Sequence, residues 1–310
     1  MEVILSAVLL LIGLVMLCFG GNWLVSGGVT IAKKFRISNL VIGMTIVAYG
    51  TSTPELAASI AAAGDHSAII LGNIVGSNIA NVGMVIGVAA ILVPLAVHKS
   101  VLRKEIPIML GVSALLVLLS IDGELSQYDG ILLLIGLGIF AVYTFRSALK
   151  QREKSKDDTA GKNNVYLKSI GLIGIGIVVL YIGAILTVDN AVVIAFEFGL
   201  SEKIIGLTVI AIGTSLPELI TSIIAIRKGH SDIGIGNIIG SNIYNILMIM
   251  GVGASLGGVL ITSDVYVDYA IMIIFSLSLL IGLKTQIINR TMGIILAAGY
   301  GLYLITTFLK

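Results

Sequence analysis

Ten long apolar stretches, separated by short charged or turn-rich breaks, run through the whole chain and restrict it to one class of protein. A helix that spans a bilayer needs about 20 apolar residues. The 310 residues are 57% hydrophobic and only 12% charged, against about 25% charged in an average soluble domain. We therefore predict an all-α membrane protein. The ten predicted spans cover residues 3–32, 38–64, 68–95, 105–121, 128–148, 166–195, 202–226, 231–262, 266–284 and 291–308.

The breaks between the spans alternate in charge, which predicts how the chain is oriented. If successive breaks lie on opposite sides of the membrane, 17 of the 19 basic residues share one side, and Lys203 and Lys310 lie on the other. Basic connections face the cytoplasm, so we predict a cell-membrane protein with both termini extracellular. Residues 150–164 (KQREKSKDDTAGKNN) are expected to form a cytoplasmic linker between domains at residues 1–149 and 165–310.

The charge and the cysteine and histidine content exclude several other classes. The basic residues lie between apolar runs rather than on one face, so nucleic-acid binding is excluded. A single cysteine, Cys18, can form neither a disulfide framework nor a thiolate metal site, and we predict it to be a small core residue. His66, His98 and His230 all lie at span ends, where we expect them to be solvated.

The chain contains an internal repeat of two separate motifs. Residues 45–63 (TIVAYGTSTPELAASIAAA) match residues 208–226 (TVIAIGTSLPELITSIIAI) at 11 of 19 positions, and GNIVGSNIAN at 72–81 matches GNIIGSNIYN at 236–245 at eight of ten. Each copy occupies the second and third spans of a five-span half. Because five is odd, the second half enters the membrane from the opposite side. The predicted fold is thus ten transmembrane helices as two inverted five-helix repeats, which is typical of secondary transporters.

Glu55 and Glu218 lie inside the second and seventh spans, where a charged side chain costs about 2.5–3.5 kcal/mol on insertion scales. An inverted symmetry axis brings equivalent residues of the two halves toward a shared centre, which favours a functional role for the pair. Pro54 and Pro217 precede them and, lacking an amide hydrogen, leave carbonyl oxygens four residues earlier without a helical partner.

Hydroxyl and amide groups accompany each glutamate. On a helix, residues three or four positions apart share a face, which groups Thr51, Ser52, Glu55 and Ser59 in the second span and Thr214, Ser215, Glu218 and Ser222 in the seventh. The third and eighth spans add Asn73, Ser77, Asn78 and Asn81, and Asn237, Ser241, Asn242 and Asn245. We expect Asn73 and Asn237 to make interhelical hydrogen bonds and the glycines of these motifs to permit close helix packing.

The predicted site offers only oxygen ligands, which suits Ca²⁺ or Na⁺ rather than zinc or copper. Two ionised glutamates carry a charge of minus two, which one Ca²⁺ or two Na⁺ neutralise and a third Na⁺ exceeds by one. Competition of Ca²⁺ and Na⁺ for the same oxygens follows. If only an occupied site lets the halves rearrange, transport is an obligate exchange.

The paired GTSTPE and GTSLPE segments and the two GNxxGSNxxN segments resemble the alpha repeats of the sodium/calcium exchanger family, within the cation/calcium exchanger superfamily, and are most similar to those of prokaryotic members. The resemblance implies ten helices, gating by the long first and sixth spans, four central cation positions and exchange of three Na⁺ for one Ca²⁺. It covers the whole topology, although its specific part is about 60 residues in two copies.

The resemblance also implies ligand roles. Glu55 and Glu218 are the shared central carboxylates, and the carbonyls of Thr51 and Thr214 are their Ca²⁺ partners. The outer Na⁺ positions are completed by Ala48, Ser52, Ser77, Ala211, Ser215 and Ser241. Asn81 and Asn245 lie at the middle position, where potassium-dependent relatives carry an aspartate in place of Asn245. The neutral amide disfavours coupling to K⁺ or H⁺ through this residue.

The leading hypothesis is an electrogenic Na⁺/Ca²⁺ antiporter that works by alternating access, with a H⁺/Ca²⁺ exchanger or another cation/Ca²⁺ exchanger as the alternative. An intramembrane enzyme is disfavoured because the chain has no HExxH motif and because an enzyme would not need each polar segment duplicated in opposite orientation. A channel is a third option, which differs from an exchanger in whether the flux saturates and requires a counter-ion. No cofactor is expected. The expected partners are Na⁺, Ca²⁺ and the bilayer, and a monomer is expected to suffice for transport, whatever the oligomeric state.

Overall fold

A computed structural model describes residues 2–61, 67–154, 163–199, 211–263 and 265–308. Within these residues the chain forms ten helical segments, named here α1 to α10. They are α1 (Glu2–Phe35), α2 (Asn39–Thr51 and Thr53–Ala61), α3 (Ser67–Ala80, Asn81–Ile86 and Gly87–Leu92), α4 (Val101–Glu105 and Ile106–Leu119), α5 (Gln127–Lys154), α6 (Asn163–Glu197), α7 (Ala211–Thr214 and Leu216–Arg227), α8 (Ser231–Tyr244, Asn245–Met250 and Gly251–Gly257), α9 (Val265–Ser278, Leu279–Ile281 and Gly282–Thr285) and α10 (Arg290–Phe308).

Each segment coincides with one predicted span, with differences at the ends. The helix α5 continues to Lys154, and α6 already begins at Asn163, so the predicted linker at 150–164 is helical at both of its ends. Residues 155–162 of that linker lie outside the described residues, as do residues 202–210 of the seventh span. In the described part of the chain, five helices are long and apolar enough to cross a membrane unbroken, namely Val3–Phe35, Ile70–Leu92, Gln127–Lys150, Tyr166–Glu197 and Ser231–Gly257.

The helices α2 and α7 break at equivalent positions. Ser52 and Ser215 separate their two segments, and both have ψ near zero (7° and 0°). Each break lies two residues before a proline. Proline has no backbone N–H to donate to the carbonyl oxygen four residues earlier, so the helix is interrupted in the turn that precedes it. The proline positions in the sequence therefore account for both interruptions.

Wider turns of π-helix occur at places that the sequence did not predict. Residues Asn81–Ile86 of α3 and Asn245–Met250 of α8 are π-helical, and both segments begin at a repeat asparagine. Two further π-helical segments lie at Gly43–Val47 in α2 and Val101–Glu105 in α4. A π turn inserts an extra residue into the helix and changes the direction of the side chains that follow, which is why such turns are frequent at functional sites.

Four two-residue strands lie in the connections between helices and link these connections in pairs. They are β1 (Leu95–Ala96), β2 (Glu124–Leu125), β3 (Val259–Leu260) and β4 (Ile287–Ile288), paired antiparallel as β1 with β4 and β2 with β3. The first pair joins the third and ninth connections, and the second pair joins the fourth and eighth. The alternating arrangement predicted from the charges places each of these pairs of connections on a common side, as the pairing requires.

The helices α1 and α6 form an antiparallel pair in close contact. A Cβ atom at Gly20 would lie 2.9 Å from the carbonyl oxygen of Gly176, and one at Gly183 would lie 3.0 Å from that of Gly13. These glycines recur every seven residues on each helix, so one small residue faces the partner after every two turns. The two backbones therefore touch along a seam that larger side chains would separate. We call it the glycine seam.

The remaining eight helices pack around a larger core, and a smaller, separate apolar cluster lies where α1 and α6 meet α2, α7 and α8. Large apolar side chains are exposed on the outer faces, including Ile4 (71%), Ile139 (67%) and Leu302 (62%). Such a surface is typical of a protein embedded in lipid. Cys18 belongs to this exposed surface of α1, so the prediction of a core cysteine was wrong. Because α1 is apolar on every face, its sequence does not indicate which face is buried in the protein and which is exposed.

The described histidines lie at helix ends, as predicted, although His230 is only partly solvated. The His98 ring is 70% exposed and lies 3.5 Å from the Asp232 carboxylate. The ring of His230 approaches the amide of Asn39 at 3.5 Å. Partial burial and the nearby charges of Lys33 and Lys228 lower the pKa of His230 below its usual value of about 6.5. His66 lies outside the described residues.

Candidate cation-binding site

The two intramembrane glutamates lie in the centre of the protein and are linked across the repeats. Glu55 is 2% exposed and Glu218 is 1% exposed. The hydroxyl of Ser52, three residues before Glu55 on α2, donates to Glu218 Oε1 of α7 at 3.1 Å. The hydroxyl of Ser241 on α8 donates to the same oxygen at 3.4 Å. The halves therefore contribute to one polar cluster rather than to two separate ones.

Many oxygen atoms of this cluster accept or donate no hydrogen bond within the described part of the chain although they are buried. Both glutamates have such an atom, Oε2, and so do Asn81 and Asn245, whose Oδ1 atoms are unpaired. The hydroxyls of Ser77 and Ser215, and of Ser59 and Thr221, belong to the same class. A buried polar atom without a partner costs about 1–3 kcal/mol. Oxygens grouped in this way are therefore suited to bind cations.

Four asparagines form a symmetric cluster that explains why two of these oxygens are unpaired. The side-chain amide of Asn81 donates to Asn242 Oδ1 at 3.0 Å, and that of Asn245 donates to Asn78 Oδ1 at 3.0 Å. Asn78 and Asn242 in turn donate to each other's backbone carbonyl, at 3.3 and 3.5 Å. With its NH₂ group engaged, each of Asn81 and Asn245 has its Oδ1 left to bind another group.

The threonines of α2 and α7 are held by the asparagines of the opposite half. Thr51 Oγ1 donates to Asn237 Oδ1 at 3.1 Å, and Thr214 Oγ1 lies 3.3 Å from Asn73 Oδ1. Asn237 also donates to Ser222 Oγ at 3.0 Å. These contacts are the interhelical hydrogen bonds that the sequence predicted for Asn73 and Asn237. They fix the backbone next to each helix break.

The structure brings eleven of the twelve predicted ligand residues into the buried interior. Thr214 is the most exposed of these, at 8%, and Ala211 is the first described residue of α7. Ala48 packs against the glycine motif of α8, since a Cβ atom at Gly240 would lie 2.7 Å from the Ala48 Cβ. The other buried members are Thr51, Ser52, Glu55, Ser77, Asn81, Ser215, Glu218, Ser241 and Asn245.

Some residues of the cluster were not predicted as site residues. Asn78 and Asn242 orient the two middle asparagines, and Met109 of α4 and Met272 of α9 lie against them, with amide-to-sulfur distances of 3.5 and 3.7 Å. The presence of an identical asparagine in both repeat copies was the available signal for the first two. The methionines lie on helices outside the repeated motifs, so no pattern in the sequence indicated them.

Comparisons with known proteins agree on one family. A family model described as "Sodium/calcium exchanger protein" matches residues 5–146 and 168–309. The sodium/calcium exchanger MaX1 of Methanosarcina acetivorans is 33% identical over 97% of this chain and 97% of its own length. Inner membrane protein YrbG of Escherichia coli is 36% identical over 97% and 96%. A solved structure of the sodium-calcium exchanger NCX_Mj, soaked with Na⁺, is similar with a TM-score of 0.87 and 35% identity over 98% of this chain and 99% of that one.

Proposed function

The chain belongs to the sodium/calcium exchanger family, and on that premise we propose that it exchanges Na⁺ for Ca²⁺ across the cell membrane by alternating access. The observation that carries the proposal is the pair of buried glutamates, one from each half, among buried oxygens that have no hydrogen-bond partner in the described part of the chain. Oxygen-only sites favour hard cations. The family is one of ion exchangers, not of enzymes.

The proposed ligand roles follow the repeat. Glu55 and Glu218, with the carbonyl groups of Thr51 and Thr214, bind Ca²⁺. The remaining predicted residues bind Na⁺ at the outer positions or line the middle position, and they are Ala48, Ser52, Ser77, Ala211, Ser215, Ser241, Asn81 and Asn245. The unpaired Oδ1 atoms of Asn81 and Asn245 support the middle position, because an amide oxygen is a ligand for both ions.

The proposed stoichiometry of three Na⁺ for one Ca²⁺ is the one that the family resemblance implies, since the charge of the site alone balances one Ca²⁺ against two Na⁺. Two ionised glutamates carry minus two, which Ca²⁺ neutralises. Three Na⁺ carry one positive charge more than one Ca²⁺. A cycle with this stoichiometry moves one net positive charge across the membrane in the direction of Na⁺ movement. It is therefore electrogenic, and the membrane potential changes its rate.

The proposed conformational change is a movement of the α1–α6 pair relative to the other eight helices. Two observations support it. The pair is joined by the glycine seam, and it meets α2, α7 and α8 through an apolar cluster separate from the main core. Apolar contacts impose few directional constraints, so a tightly joined pair can slide as a unit and expose the site alternately on each side.

The proposed orientation has both termini extracellular, with the linker at 150–164 in the cytoplasm between halves at 1–149 and 165–310. The positive-inside rule and the 17 basic residues on one side support this. One chain contains both halves of the site, so we propose that a monomer is sufficient for transport.

The test is ⁴⁵Ca²⁺ uptake into proteoliposomes that contain the purified chain. We expect an outward Na⁺ gradient to drive uptake, and an inside-negative potential set with K⁺ and valinomycin to slow it, because three Na⁺ leave for each Ca²⁺ that enters. Uptake driven by a pH gradient without Na⁺ would assign the chain to a H⁺/Ca²⁺ exchanger. Flux without any counter-ion that does not saturate would indicate a channel.

A further inference from the structure

Two methionine sulfur atoms border the proposed ion site and accept hydrogen bonds from its asparagines. The side-chain amide of Asn242 on α8 lies 3.5 Å from the sulfur of Met109 on α4. The side-chain amide of Asn78 on α3 lies 3.7 Å from the sulfur of Met272 on α9. We propose that Met109 and Met272 are positioning residues, whose sulfurs fix the orientation of these two amides and so keep oxygen, rather than NH₂, directed at the cations. This inference rests on the proposed exchange function.

The sulfurs serve N–H groups that are buried. Met109 is fully buried, and Met272, Asn78 and Asn242 are each 1% exposed. A side-chain amide has two N–H donors. Each of these amides donates to the backbone carbonyl of the opposite asparagine, at 3.3 Å from Asn78 and 3.5 Å from Asn242, and to one sulfur. A thioether is a weak acceptor, but here it is the second acceptor that each amide has in the described part of the chain.

Each sulfur begins a chain of hydrogen bonds, called an amide relay below, that ends at an unpaired oxygen. The relays run from Met109 through Asn242 to Asn81, and from Met272 through Asn78 to Asn245. In both, the Oδ1 atom of the central asparagine accepts from the amide of the last one at 3.0 Å. The Oδ1 atom of the last asparagine accepts no hydrogen bond from a described residue. It is the oxygen proposed as a ligand at the middle position.

The sulfur makes the reversed relay unfavourable. If the Asn242 amide turned over, its oxygen would face two acceptors, the Met109 sulfur and the carbonyl oxygen of Asn78. Its NH₂ group would then donate to Asn81 Oδ1, and the NH₂ group of Asn81 would be left to face the site. Since N–H groups repel a cation, the reversed relay binds it poorly. Leucine in place of Met109 removes one of the two acceptors that oppose this reversal.

The two methionines occupy equivalent positions of the inverted halves. They are 163 residues apart, as Glu55 and Glu218 are. Only four of the 14 residues at 106–119 are identical to those at 269–282, so the sequence alone did not mark these segments as a repeat. The sulfur contacts reveal the equivalence. The methionines are thus duplicated together with the proposed ligand residues, although most of the residues around them differ.

Uptake of ⁴⁵Ca²⁺ by Met109→Leu, Met272→Leu and the double variant tests the proposal, because leucine conserves volume and has no acceptor. We expect each single variant to raise the KM for Ca²⁺ about two- to fivefold, as for one weak hydrogen bond, and the double variant to raise it further. The kcat should change less than about twofold, since neither residue lies on α1 or α6. Met250→Leu is the matched control. Met250 is fully buried, and its sulfur accepts no hydrogen bond from a described residue.

Replacement of all nine methionines separates the acceptor from the shape of the side chain. Norleucine has a CH₂ group in place of sulfur, whereas selenomethionine keeps an acceptor atom at that position. The selenomethionine chain should keep the KM for Ca²⁺. The norleucine chain should raise it as much as the double leucine variant does. Norleucine at the remaining methionines of the double variant should add nothing.

Equal KM values for the norleucine and selenomethionine chains would overturn the proposal, and so would an equal rise in Met250→Leu. A lower kcat with an unchanged KM in the leucine variants would assign Met109 and Met272 to helix packing alone. Failure of the proposed function would show differently, because the unmodified chain itself would then lack Na⁺-dependent uptake. Failure of the relay proposal alone leaves that uptake intact.

Discussion

Glu55 and Glu218 carry the negative charge of the proposed ion site, and their burial makes each of them hard to replace. We predict that Glu55→Gln and Glu218→Gln each reduce Na⁺-dependent ⁴⁵Ca²⁺ uptake more than about thirtyfold, because loss of one charge from a buried interacting set costs at least about 2 kcal/mol. Cys18→Ala is the control, since Cys18 lies on the exposed surface of α1 and its substitution should leave uptake unchanged. Wild-type flux in either glutamine variant would place the site elsewhere.

The asparagines that orient the proposed middle position give a second prediction at this scale. Asn242→Ala removes the acceptor of the Asn81 amide, so the Asn81 side chain is no longer held with its oxygen toward the site. We predict an increase of about two- to tenfold in the KM for Ca²⁺, the equivalent of one hydrogen bond, with a smaller change in kcat. The measurement is initial uptake rate against Ca²⁺ concentration.

Thr144→Ala is the control for the asparagine variant. The Thr144 hydroxyl is also buried, but it donates to carbonyl oxygens of its own helix, those of Phe140 and Ala141. Its loss should leave the KM unchanged. Equal KM values for Asn242→Ala and the unmodified chain would show that Asn242 does not position a ligand.

At the scale of elements, the seam between α1 and α6 depends on residues without a side chain. A Cβ atom at Gly20 would lie 2.8 Å from the backbone nitrogen of Leu180 and 2.9 Å from the carbonyl oxygen of Gly176, so Gly20→Ala must force the helices apart. We predict a loss of about 1–3 kcal/mol in stability, as for overpacked interiors, measured as a lower unfolding temperature in detergent.

Gly174→Ala is the matched control for the seam. Gly174 also lies on α6, but it is exposed and no atom lies within 4 Å of a Cβ at that position. Alanine has the higher helix propensity, by about 1 kcal/mol in soluble helices, so this variant should be as stable as the unmodified chain or more so. A similar loss in both variants would contradict the close-packing account, because a Cβ at Gly174 meets no atom and alanine favours the helix there.

Hydropathy predicted the order of the helices along the chain. It did not predict the irregular turns within them or the faces through which they contact each other. The breaks at Ser52 and Ser215 were predictable, because a proline two residues later affects the chain locally. The π turns that begin at Asn81 and Asn245 were not, since they depend on packing against other helices. The seam of α1 and α6 was missed for the same reason: both helices are apolar on all faces, so periodicity indicates no contact surface.

For the whole molecule, the inverted repeat predicted both the topology and the place where the halves meet. Matching motifs in the second and seventh spans predicted Glu55 and Glu218 at a common centre, and the Ser52 to Glu218 hydrogen bond joins those two segments. The contributions of Met109 and Met272 lay beyond prediction, because α4 and α9 carry no repeated polar motif. Sequence spacing relates the two copies of a polar motif, but it does not indicate which apolar side chain of another helix packs against that motif.

The orientation of the molecule gives a prediction that cysteine labelling can check. On a Cys18→Ala background, Glu124→Cys in the fourth connection should react with a membrane-impermeant maleimide in intact cells. Thr285→Cys near the ninth connection should react only after the membrane is permeabilised. Both positions are exposed, so access to the reagent, not burial, decides the result. The reverse pattern of labelling would place the termini in the cytoplasm.

Anomalous diffraction from crystals soaked in Sr²⁺, a heavier substitute for Ca²⁺, tests the proposed site most directly. We predict one dominant peak in contact with carboxylate oxygens of both Glu55 and Glu218, at roughly 2.3–2.7 Å as expected for a large divalent cation, and a weaker peak when Na⁺ is added in excess. A dominant peak that touches only one of these carboxylates, or one that Na⁺ leaves unchanged, would contradict the proposal that the two halves share a Ca²⁺ site for which Na⁺ competes.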